Sequence, residues 1–219
     1  PIAAASGLLM SGFALLVASL GMANPQITPL VPVLRSPWLS LHVSLIMVSY
    51  ALLGLLMLNG TAALALVATA RTGTSERTSR TLARLRLFGQ LLLYPAVFLL
   101  TAGIFTGAVW ANASWGRYWG WDPKEVWALI TLIVYALPLH GQSLARFRRP
   151  LFFHAYTLWA FAAVLMTYFG VNYLLGGMHS YGGGFRPGYA AATILAAVTA
   201  FALLTVAALI RQRLSLIHI

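Results

Sequence analysis

Apolar runs of bilayer-crossing length recur along the whole chain, at about 2–22, 42–70, 87–110, 123–142, 151–175 and 189–210. A hydrocarbon core ~30 Å thick needs roughly 20 apolar residues of helix to cross it. Inside that core the backbone must satisfy its own hydrogen bonds, which leaves helices and closed barrels. The sequence therefore predicts an all-α, polytopic transmembrane helical bundle of about six spans, a single domain over 1–213 with no internal repeat. The second run is longer than one crossing demands and is expected to tilt or protrude. Pro25, Pro29, Pro32 and Pro37 block regular helix over 23–41, which is read as a loop.

The charges give this bundle a direction. Lys and Arg number 14 against 3 Asp and Glu, a formal charge of +11. In a soluble chain that balance would suggest nucleic acid. Here the basic residues sit in short loops, 10 of them in 71–86, 141–150 and 211–213 and the other 4 (Arg35, Arg117, Lys124, Arg186) in the alternate loops. The positive-inside rule assigns the first set to the cytoplasm. It assigns the Pro-rich loop, a Trp-rich stretch at 110–127 and a Gly-rich loop at 176–188 to the outer face. The expected surroundings are membrane lipid, with no nucleic-acid partner. Because the chain has no cysteine, it has no disulfide, no C-x-x-C redox pair and no covalently attached c-type haem of its own. Any haem would be held by histidine.

The chain opens on Pro1 rather than Met, and 214–219 reads as the translation of a common library-adapter end. The expectation is a fragment with a non-native tail at 214–219, so His218 is set aside.

Five of the seven tryptophans and two of the three carboxylates fall within 110–127, WANASWGRYWGWDPKEVW. A few indoles at a membrane surface make an ordinary interfacial belt. Five, mixed with glycine, suggest a platform for a flat apolar ligand. Asp122, Pro123 and Glu125 have the order of a capping box, with an N-cap Asp, Pro at the first helical position and Glu at the third. That structural role is preferred to acid–base catalysis by the two carboxylates.

The histidines separate into two levels. His42, at the start of the second run, and His179, in the Gly-rich loop, both lie on the side of the tryptophans. His140 is 18 residues past Asp122, roughly 27 Å along a helix, and belongs near the inner face, as does His154. An interfacial histidine is commonplace. Two beside a Trp-rich surface favour ligation of a planar ligand such as haem, whose iron imidazole binds axially. His140 is a costly side chain within a span and is expected to have a purpose; His154 is read as structural. Arg35, Arg117, Lys124 and Arg186 are the candidates to pair with haem propionates.

The pattern W-G-x-x-W-x-W-D at 115–122 resembles the WWD signature of membrane haem-handling proteins of cytochrome c biogenesis. The continuation DPKEVWALITLIVYALPLH is similar to the System II, CcsA (ResC) branch rather than to the CcmC or CcmF branches of System I. SPWLSLHV around His42 and YFGVNYLLGGMHSY around His179 extend the similarity over most of 36–182. The resemblance implies non-covalent haem b, held by Trp115, Gly116, Trp119, Trp121, Asp122 and Trp127. His42 and His179 would be the outer iron ligands and His140 the ligand within the membrane. It implies delivery of haem to the outer face and attachment to apocytochrome c together with a companion subunit, CcsB (ResB), as part of a cytochrome c synthase (haem lyase) complex. The membrane would be a bacterial inner membrane or a thylakoid. Three other readings remain open at this point: a System I type handler that loads a chaperone, a b-type electron-transfer protein binding haem between His140 and His154, and a carrier or channel without haem.

Overall fold

The computed structural model describes residues 35–70, 76–175, 177–178 and 188–217, with isolated helical positions between 4 and 15. Among them there are helices and turns and no strand. The helices are α1 (Pro37–Ala68), α2 (Glu76–Trp115), α3 (Pro123–Ala136), α4 (Pro150–Leu174) and α5 (Gly188–Ile217). By length and composition α1, α2, α4 and the Ile194–Leu214 part of α5 can each cross a membrane. The chain is thus an all-α integral membrane protein. Apart from those isolated positions the first predicted span lies outside the described residues, as do the Pro-rich stretch before residue 35, His179 and Arg186.

The helix boundaries differ from the hydropathy reading for local reasons. α1 begins at Pro37, five residues before the apolar run, because proline is well suited to the first helical position, where its missing N–H costs nothing. α2 begins at Glu76 and takes in most of the basic loop; Arg and Leu are good helix formers, and Glu76 pairs with Arg80 one turn on. These two helices run to about 48 and 60 Å, well beyond a hydrocarbon core. α3, in contrast, has only 14 α-helical residues and is prolonged by a 3-10 turn, Leu137–His140. Together they reach about 29 Å. Pro138 is the cause: it has no N–H for the carbonyl of Val134, and the Tyr156 hydroxyl donates to that oxygen instead, at 2.8 Å.

α1 packs chiefly on α2 and then on α4, with α3 against α4. The central core joins Leu53 and Leu56 of α1, Leu93 and Ala96 of α2, Tyr135 of α3 and Phe153 and Val164 of α4. A second cluster, Leu64, Val67, Leu151, Leu158 and Ala208, attaches α5. Lipid offers no hydrophobic drive between helices, so close contact depends on small residues and interhelical hydrogen bonds. Ser49 Oγ donates to the Ala96 carbonyl at 2.8 Å, and Asn59 Nδ2 to that of Leu85 at 2.9 Å. At Gly60 a side-chain carbon would lie 2.7 Å from the His154 carbonyl oxygen, so α1 and α4 touch backbone to backbone there. Leu87, Leu91, Tyr94, Phe98 and Phe105 form an exposed stripe along α2 at spacings of four, three, four and seven residues. An apolar face open to the surroundings fits lipid.

Candidate functional site

One end of the bundle is built by the start of α1, the end of α2, the Trp-rich turn, the start of α3 and the end of α4. A cavity of about 420 Å³ opens there, within the size range of small-molecule and cofactor sites. His42, Ile46 and Tyr50 line it from α1, Gly107, Trp110 and Ala111 from α2, Tyr118 and Trp119 from the turn, Lys124 and Glu125 from α3, and Thr167, Tyr168 and Asn172 from α4.

His42 is fixed by α2. Its Nδ1 lies 2.7 Å from the Gly103 carbonyl oxygen; a carbonyl only accepts, so Nδ1 carries the proton and Nε2 the lone pair. A hydrogen bond of this kind from the second ring nitrogen is what orients ligating histidines. Gly107 makes the approach possible: a side-chain carbon there would stand 2.6 Å from both Cε1 and Nδ1 of the ring. Gly103 and Gly107 are spaced as G-x-x-x-G, the small-residue pattern that lets membrane helices meet closely. The sequence reading passed over this pair, although the spacing was its visible signal.

The Trp-rich stretch is divided between several environments. Trp110, 2 % exposed, and Trp119 line the cavity. Trp115 packs edge-on against Trp110, with ring centres 4.7 Å apart. Trp121 is 73 % exposed, edge-on to Trp119 at 5.9 Å. Neither Trp115 nor Trp121 lines the cavity. Trp127 contributes its backbone: its carbonyl accepts from Thr131 at 2.8 Å and from Thr167 at 3.1 Å, joining α3 to the π-helical turn Met166–Gly170 of α4. Such turns recur at functional sites, and this one is followed by Asn172. Gly116 holds φ +72 at the end of α2, a left-handed conformation suited to glycine that turns the chain out of the helix.

The capping box is present as expected. Asp122 accepts from Lys124 N at 3.2 Å, and Glu125 Oε2 accepts from the amides of Gly120 at 2.8 Å and Asp122 at 3.1 Å. Because the amides on both sides of Trp121 converge on one carboxylate oxygen, Trp121 is held at φ +57, which bulky residues rarely adopt. Asp122 has a second task that no local pattern announced. Its Oδ1 accepts from Met178 N at 2.6 Å, tying the chain after α4 to the start of α3. Asp122→Ala should therefore cost about 1–3 kcal/mol and Asp122→Asn less, since Asn also caps. Thermal unfolding of the full-length protein in detergent measures this, and an unchanged Tm for the alanine variant would refute it.

The opposite end carries His140 and His154, the other two described histidines. His140 closes the 3-10 turn, exposed, with Nδ1 2.9 Å from the Ala136 carbonyl oxygen. His154 is fully buried between helices. Neither lines the cavity. Arg86 donates to the Arg148 carbonyl at 2.6 Å, so the basic segments 76–86 and 145–149 meet at this end, as their assignment to one side requires. Among the described residues no group of three or more His, Asp or Glu is arranged to hold a bare metal ion. One imidazole in an apolar, aromatic cavity with a nearby ammonium group suits haem, which needs only axial nitrogen and a cation for its acid groups.

The family model described as cytochrome C assembly protein matches residues 1–179. Protein NrfI of Wolinella succinogenes is 43% identical over 182 residues, which cover 83% of this chain and 20% of that protein. The cytochrome c biogenesis protein CcsA of Chlamydomonas reinhardtii is 38% identical over 183 residues, 80% of this chain and 48% of that one. The protein of the same name from Parasynechococcus marenigrum (strain WH8102) is 38% identical over 213 residues, 83% of this chain and 68% of that one. The chain thus spans about half the length of the Chlamydomonas relative and a fifth of NrfI. With most of its residues matched by the family model and by these relatives, the chain belongs to the cytochrome c assembly protein family, as a CcsA-type cytochrome c biogenesis protein.

Proposed function

We propose that the cavity binds haem b non-covalently, that His42 Nε2 and His179 would hold its iron, and that it would be presented on the outer face of the membrane for attachment to apocytochrome c. The observation that carries this reading is the His42–Gly103 hydrogen bond. It puts the proton on Nδ1 and the lone pair on Nε2, on a ring lining an apolar and aromatic cavity. Haem held there would supply the vinyl groups that an apocytochrome's C-x-x-C-H thiols require for attachment. Without cysteine, this chain's residues bind, orient and keep water out, and supply no nucleophile. His140 is exposed with its Nδ1 on the Ala136 carbonyl, which puts the lone pair on Nε2; it would be the ligand within the membrane, shared with a companion subunit of the CcsB (ResB) type. The bacterial inner membrane is the first setting for this work and the thylakoid the second.

The test is an absorption spectrum of the full-length protein, purified in mild detergent with its companion subunit from cells supplied with haem. A Soret band that travels with the complex is expected. A well-folded complex with no Soret absorbance would overturn the haem reading.

A further inference from the structure

We propose that Lys124, braced by Asn172, is the carboxylate-recognising group of the cavity. It would select a planar ligand with an acidic edge and fix which way round that ligand sits. The inference rests on the haem reading above and goes further by naming the group that reads the propionates.

Of the four cations assigned to this side of the membrane, the structure singles out one. Arg35 and Arg117 are exposed and do not line the cavity, and Arg117 Nη2 lies against Met178 Sδ at 2.8 Å. Arg186 lies outside the described residues. Lys124 is half-buried and in the cavity wall. An ammonium drawn out of water is costly unless it is paired; the charge of Asp122 offsets part of that cost, but both neighbouring carboxylates are also occupied by backbone amides. Glu125, which also lines the cavity, receives the Gly120 and Asp122 amides on Oε2, and Asp122 receives the amides of Lys124 and Met178. Among the described residues the ion pair within 4.0 Å is Arg80–Glu76, at the far end of α2.

Lys124 Nζ donates to Asn172 Oδ1 at 2.9 Å across 48 residues of sequence. An ammonium only donates, so the amide must present its oxygen to the lysine and its NH2 group on the other side. Asn172 accepts one of the three ammonium hydrogens. The pair therefore sets a positive charge and two kinds of N–H donor at one edge of a wall that is otherwise largely apolar, which is the complement of a carboxylate. A flat ring would lie against Trp119 and Tyr118, with its acid groups at the α3–α4 edge.

The experiment compares two probes that share iron and ring and differ in charge, haemin and haemin dimethyl ester. Each is titrated into the haem-stripped full-length complex in mild detergent. Wild type is expected to bind haemin roughly tenfold or more tightly than the ester, a preference of about 1.4 kcal/mol. Lys124→Met should bring the ratio close to one by weakening haemin alone, and Lys124→Arg should keep most of it. Retained ester binding with an unchanged Soret position reports that the variant is folded and that its iron ligation is intact. A Lys124→Met protein that keeps the preference, or that loses both probes equally, overturns the proposal while the haem reading stands. A wild type that binds neither probe overturns both.

Discussion

Full-length protein with His42→Ala should come out of the membrane folded and with its companion subunit, but with haem at this site weakened by roughly 100-fold. Loss of a ligand should cost at least as much as loss of the hydrogen bond behind one, which is itself a 10–100-fold effect. The alanine leaves a space the size of an imidazole between α1 and Gly107. Millimolar imidazole should therefore restore the Soret band, and a titration followed at that band measures it. Full haem occupancy with an unchanged spectrum in His42→Ala would remove His42 from the site and leave the cavity without an assigned ligand.

Gly107→Ala should have nearly as large an effect without altering any group that could touch iron. Its new methyl would stand 2.6 Å from two ring atoms of His42, a separation that has to be relieved by swinging the ring. That swing breaks the 2.7 Å bond from Nδ1 to the Gly103 carbonyl and turns Nε2 away. A loss of roughly 10–100-fold in haem affinity is expected, and imidazole should not rescue it, because the displaced ring still fills the space. Gly103→Ala is the control. There the methyl would meet Ile46, at 2.6 Å from Cδ1 and 2.9 Å from Cγ1, and not the ring of His42, whose carbonyl partner is kept, so any loss should be smaller than in Gly107→Ala. Equal haem in Gly107→Ala and wild type would show that the ring's position does not matter.

The division of the tryptophans has a similar consequence for how the WWD stretch is understood. Trp119 and Trp110 are in the cavity wall, Trp115 packs edge-on against Trp110, and Trp121 is exposed. Runs of similar residues in sequence thus take unlike places. The turn between α2 and α3 changes direction at Gly116 and again at Trp121, both with positive φ.

What the sequence determined by itself is whatever depends on composition and on neighbours a few residues away. The all-α membrane character follows from apolar runs. The capping box at Asp122–Glu125 follows from a four-residue pattern, and the grouping of the basic segments at one end follows from alternation of the loops. Helix starts moved outward, to Pro37 and Glu76, because hydropathy marks where lipid begins, whereas a helix extends as far as its backbone bonds and caps allow. What only the tertiary structure decided is which residues meet across distance. His42 finds Gly103 across 61 residues, Lys124 finds Asn172 across 48 and Asp122 finds Met178 across 56. None of these partners is marked by residue type alone. A glycine or an asparagine acquires its role from the helix that packs against it, and that packing is settled by the shapes of whole helix faces rather than by any short stretch of sequence.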